Sequence, residues 1–70
     1  MGTVGNRLRF TRRQNFETQK SLAEAINITQ HMVSDWETDK REIPVWAIRA
    51  ICSRYKVSAE WLLGIGEANE

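Results

Sequence analysis

The sequence predicts an all-α fold of five short helices. Three observations carry that expectation. Apolar residues recur at three- and four-residue spacing along the chain, and no segment alternates strictly between apolar and polar as a half-buried strand does. Thr18, Thr29 and Ser58 also stand immediately ahead of periodic segments, where a helix N-cap belongs.

Size and composition bound the rest. Seventy residues make one domain with a modest core. A hydrophobic content of 41% is that of a globular chain, not a disordered one. Cys52 is alone, which excludes an internal disulfide and a Cys-based zinc site and fits a reducing cytoplasm. No apolar run approaches the roughly 18–20 residues of a membrane span, and the N-terminus lacks a signal-peptide core. The net charge of +1 says little about a nucleic-acid partner. The distribution says more. Arg7, Arg9, Arg12, Arg13 and Lys20 crowd the first part of the chain, Lys40-Arg41 follow later, and Glu67 and Glu70 lie in the tail.

Taken in order, residues 1–3 read as a loose end, residues 4–64 as the domain and residues 65–70 as a short tail. The first helix is expected from about Val4–Asn6 to Gln14, with Val4, Leu8 and Thr11 on one face and the arginines around the remainder. Asn15 suits the left-handed residue that ends a helix, after which Phe16 is expected to tuck inward. Thr18 caps a second helix, Gln19 to Ile26, with Leu22, Ala23 and Ile26 inward, and Asn27 ends it. Thr29 caps a third, Gln30 to about Thr38. The turn between them is short enough to force a steep crossing. Residues 39–42 form a loop. Ile43 and Pro44 lead into a fourth helix reaching Tyr55, with Ile48, Ile51, Cys52 and Tyr55 as its buried stripe and Trp46 outside it. Ser58 caps the last helix, Trp61, Leu62 and Leu63 pack inward, and Gly64 stops it.

The third helix stands apart. Val33 and Trp36 anchor one side, while Gln30, His31, Ser34 and Asp35 occupy the other. A helix held by so few apolar residues, with hydrogen-bonding side chains opposite, is suited to being offered to a polar partner. It reads as a recognition helix.

Motifs at fixed spacing sharpen that reading. They are Gly5-x-Arg7-Leu8 with Arg12; Thr18-Gln19-x-x-Leu22-Ala23; Ile28-Thr29-Gln30-x-x-Val33-Ser34-x-Trp36-Glu37; Lys40-Arg41; and Val57-Ser58-x-x-Trp61-Leu62-Leu63-Gly64. Together, over residues 4–64, they resemble the phage-repressor and Cro-type (XRE-like) helix-turn-helix family of DNA-binding proteins. Phe16-Glu17, Asn27 and Asp39 depart from that family's pattern, which often has Gly at the first, third and fourth of these places.

The resemblance implies a five-helix phage-repressor-like domain whose third helix enters the major groove while the second lies across the backbone. Gln30 then offers an amide to adenine, His31 a donor to guanine, Met32 a contact for a thymine methyl and Asp35 an acceptor for cytosine. Thr18, Gln19, Thr29, Ser34, Thr38, Lys40 and Arg41 become phosphate contacts, which fix register and carry no sequence code. Arg12 and Glu37 become a structural ion pair between the first and third helices. Trp46, Trp61 and Ile65 are candidates for a dimer interface. The expected function is a sequence-specific transcriptional regulator, a repressor of phage or mobile-element type. It would bind double-stranded operator DNA as a homodimer in the cytoplasm, nucleoid-associated, with no cofactor, metal or membrane. The alternative is an antitoxin or antirepressor whose main partner is another protein. One His, one Cys and no glycine-rich phosphate loop argue against an enzyme.

Overall fold

The computed structural model describes residues 2–65. Among these there are five helices and no strand: α1 (Val4–Gln14), α2 (Gln19–Ala25), α3 (Gln30–Glu37), α4 (Val45–Tyr55) and α5 (Ala59–Leu63). The tail beyond Ile65 lies outside the described residues.

Local chemistry sets the starts. Thr3, Thr18, Thr29 and Ser58 each accept a hydrogen bond through the side-chain oxygen from the backbone N–H three residues on, at 3.0–3.3 Å. Each such cap is worth about 1 kcal/mol. Pro44 sits at the N-cap of α4 without a side-chain cap, and its backbone oxygen accepts from Ala47 N and Ile48 N, both at 3.0 Å.

The ends share one device. Phe16, Asn27, Asp39, Lys56 and Gly64 all adopt a left-handed conformation, with φ of 57–76°. The residue after each donates its N–H back to the last turn: Glu17 to Arg12 O, Ile28 to Ala23 O, Lys40 to Asp35 O, Val57 to Cys52 O and Ile65 to Glu60 O. This closes orphan carbonyls in the Schellman manner. Four of the five exits therefore use a residue with a Cβ.

Every helix contributes to the core: Leu8 from α1, Leu22 and Ala23 from α2, Val33 and Trp36 from α3, Ala47, Ile51 and Tyr55 from α4, and Leu62 from α5. Gly5 lets α1 cross the end of α3 at backbone contact. A methyl group there would run into Trp36 O and lie 2.7 Å from Glu37 O.

Several expectations change. The left-handed residue after α1 is Phe16, not Asn15, and Phe16 is 95% exposed instead of tucked inward. The chain turns so that Glu17 takes the inward place. Its carboxylate accepts from Arg54 Nε (2.8 Å), Tyr55 Oη (2.7 Å) and Ser21 Oγ (2.8 Å), tying the α1–α2 turn to α4. Arg7 is buried, not solvated. It donates to Trp61 O at 3.0 Å and its guanidinium lies over the Trp61 ring, which leaves Trp61 half-buried beside Phe10. Leu62 alone fills the α5 core position, and Leu63 is exposed.

Candidate nucleic-acid interface

The site is built on α3, a helix held from behind. Val33 and Trp36 are fully buried, and the Glu37 carboxylate has no exposed side-chain surface. Arg12 donates to both Glu37 oxygens, through Nε at 2.6 Å and Nη2 at 3.0 Å. Gln19 Nε2 adds a bond to Oε1 at 3.0 Å, and Arg9 Nε stands 3.4 Å from the same oxygen. Burial by itself raises the Glu37 pKa. The hydrogen bonds from Arg12 and Gln19 outweigh it and hold the carboxyl below its ordinary range. The same hydrogen bond to Glu37 raises Arg12. One buried carboxylate thus joins α1, α2 and α3.

The exposed side of α3 carries Gln30 and His31 in solvent, with Met32 and Ser34 half-buried beside them. Met32 also packs against the core. Thr29 sits exposed at the helix start, its hydroxyl accepting from Met32 N. Thr18 is exposed at the start of α2. Gln19, half-buried, has its amide turned onto Glu37. At the far end Thr38 is exposed and donates to Ser34 O at 2.9 Å, and Lys40 and Arg41 follow it into solvent. Thr18, Lys40 and Arg41 are exposed as Gln30 and His31 are.

Asp35 does not join that face. It is 7% exposed. Its Oδ2 accepts from Arg41 Nε at 3.1 Å and lies 3.4 Å from His31 Nε2. The helical spacing that placed Asp35 outward is overridden by a partner six residues on, which draws the carboxylate down against the loop.

Two residues that sequence reasoning passed over also shape the site. Asp39 was expected only as loop. Its left-handed backbone aims the carboxylate at the start of α1, where Oδ1 accepts from Gly5 N (3.1 Å) and Oδ2 from Thr3 Oγ1 (2.6 Å). The first turn of α1 contains no acid of its own, so Asp39 supplies the charge that a helix N-terminus favours. That missing acid was the readable signal. Arg9, expected on a solvated face, is the other.

Of the interface candidates, Trp46 is half exposed and meets Trp36 edge-on at 6.3 Å, beside exposed Val45. Ile65 is exposed and Trp61 half-buried. None of the described helices is long and apolar enough to cross a membrane.

A family model described as Helix-turn-helix matches residues 18–62. The chain is 32% identical over 68 residues to the HTH-type transcriptional regulator ImmR of Bacillus subtilis, covering 97% of this chain and 54% of that protein. It is 34% identical over 61 residues to the HTH-type transcriptional regulator DicA of Escherichia coli, covering 87% of this chain and 45% of that protein. The chain thus spans about half the length of the curated relatives it matches. The fold is also similar to that of the P22 c2 repressor protein, solved in complex with synthetic operator 9T. The TM-score is 0.85 at 22% identity, over 93% of this chain and 98% of that one. With α2, its four-residue turn and α3 inside the matched segment, the chain belongs to the helix-turn-helix family.

Proposed function

We propose that this domain is the sequence-reading module of a DNA-binding transcriptional regulator, a repressor that presents α3 to the major groove of a palindromic operator. One observation carries the reading. Gln30 and His31 stand in solvent at the start of a helix that is fastened from behind by Val33, Trp36 and Glu37. In this reading Gln30, His31 and Met32 meet base edges, while Thr18, Gln19, Thr29, Ser34, Thr38, Lys40 and Arg41 serve the phosphates. The operator complex of the P22 c2 repressor supports it by analogy of fold. One α3 reads few bases, and each mismatch costs only about 1–3 kcal/mol. A homodimer on two half-sites restores discrimination, with exposed Trp46 and Ile65 and half-buried Trp61 offered to the partner copy. The role is binding, without a chemical step, and its place is the cytoplasm, on the nucleoid.

The test is enrichment of bound duplexes from a random pool, then titration of the enriched site. Gln30→Ala is expected to weaken binding by about 1–3 kcal/mol, the worth of a bidentate amide–adenine contact. Lys40→Ala should lower the salt dependence by about one phosphate equivalent without changing base preference. Unchanged affinity in Gln30→Ala, with helicity intact, refutes the placement of α3.

Half-exposed Trp46 beside Val45 favours a second reading, an antitoxin or antirepressor whose main partner is another protein. A stoichiometric protein captured by the domain, together with DNA binding that shows no sequence preference, decides for it.

A further inference from the structure

On the DNA-binding reading above, we infer that Asp35 is a positioning residue for Arg41, and that it does not itself read a base. Three observations converge on it. The carboxylate lies in the α3–loop corner with only 10% of its side chain exposed, so little of it is left to face a groove. Its Oδ2 accepts from Arg41 Nε at 3.1 Å, and the same oxygen has His31 Nε2 at 3.4 Å on its other side. The main chain repeats the connection: Lys40 N and Arg41 N both point at Asp35 O, at 2.9 and 3.4 Å. Side chain and backbone of one residue therefore set where the loop after α3 holds its cations.

The chemistry follows from where each charge sits. The Arg41 side chain is 65% exposed. An arginine on so exposed a stem samples many rotamers, and ordering it costs entropy at binding. The bond to Asp35 is made through Nε, which leaves the two terminal nitrogens of the guanidinium able to donate elsewhere. Those are the donors a phosphate takes in bidentate fashion. The bond to Asp35 thus orders the stem before DNA arrives and lowers the net charge of the loop. Lower loop charge weakens binding to any duplex, while fixed geometry preserves binding in the one register where the phosphate falls on the guanidinium. Both effects widen the gap between operator and random DNA.

Asp35→Asn keeps the shape and removes the charge. Binding is measured on the duplex that the wild-type domain enriches from a random pool and on the unselected pool, across a salt series. The expected result is tighter binding to the pool, a salt dependence steeper by about one phosphate equivalent, and an operator-to-pool ratio reduced about two- to five-fold, as for an exposed ion pair. Arg41→Ala is expected to reduce that ratio similarly, and the double variant to reduce it no further, because both changes break one contact. Base preference at every operator position is expected to stay the same.

A lost preference at one position in Asp35→Asn, or additive losses in the double variant, overturns the inference and returns Asp35 to direct base reading. An unchanged ratio and salt dependence overturns it too. A wild-type domain with no preferred duplex refutes the DNA-binding reading separately. In that event the NMR order parameter of Arg41 Nε in the free domain still decides the positioning role: it should fall in Asp35→Asn, and equal mobility in the two proteins rules the role out. If Asp35→Asn does not fold, Arg41→Ala, at an exposed side chain, probes the same pair from its other end.

Discussion

Replacing Glu37 with leucine should strip the domain of a large part of its stability, and replacing Arg12 with methionine as well should restore much of what was lost. The side chains of the pair are 9% and 0% exposed, and three hydrogen bonds converge on the carboxylate from Arg12 and Gln19. Removing one partner leaves the other as an uncompensated buried charge, which costs about 3–5 kcal/mol. A chain of 70 residues has roughly 4–10 kcal/mol of stability in total, at about 0.05–0.15 kcal/mol per residue. The single variant is therefore expected to lose about 30% of its stability or more, and the melting temperature to fall by about 12 °C or more. In Arg12→Met/Glu37→Leu no charge is stranded, and apolar replacements of similar volume are often close to neutral. Urea titration followed by the fluorescence of buried Trp36 reads all four proteins. A loss below about 1 kcal/mol in Glu37→Leu, or a double variant less stable than either single, refutes the account of this pair as a device of geometry more than of net stability.

Three further outcomes follow from other contacts. Glu17 is held down to about 2, chiefly by the hydrogen bond from Arg54 and against its desolvation, with Tyr55 and Ser21 adding to Arg54. Its folded value lies below its unfolded one. The stability it contributes is therefore present above about pH 4.5 and lost as the pH falls toward 2; acid titration should show Arg54→Ala flattening that loss, and an unchanged acid profile rejects the assignment. Gly5→Ala would add helix propensity worth about 1 kcal/mol at an ordinary helical site, yet here the methyl meets two carbonyl oxygens at the end of α3, so a lowered melting temperature is expected and a raised one contradicts the close crossing. Phe16→Gly removes an exposed ring from a left-handed backbone at φ 57°. That relieves about 1 kcal/mol of steric cost, which thermal melting should record as a gain.

The helices were legible because their signals are local. Thr18, Thr29 and Ser58 announce starts, and Leu22, Ala23, Val33, Ile51 and Leu62 sit where periodicity puts them. Family motifs supplied what periodicity could not, the order and relation of the helices. What escaped was chemistry between residues far apart in the chain. Asp39 reaches Gly5 over 34 positions, and Glu17 reaches Tyr55 over 38. Nothing in either neighbourhood marks the partner. Arg7 and Asp35 escaped for a related reason. A charge on a helical pattern reads as solvated until something is known to meet it. Phe16 erred the other way, since a ring suggests burial while the helix exit, which needs one left-handed residue, turned it outward.

The junction at Glu37 constrains how such a domain can change. Because α1, α2 and α3 share one carboxylate, α3 cannot tilt without dragging the start of α2 with it. The angle of α3 is then set by the scaffold, through Arg12, Gln19 and Glu37. On the proposed function, adaptation to another operator would fall on side-chain exchange at Gln30, His31 and Met32, which leaves that junction untouched. On the proposed function, residues 30–32 behave as a replaceable cartridge, and transplanting them into a relative with the same junction should carry the base preference along.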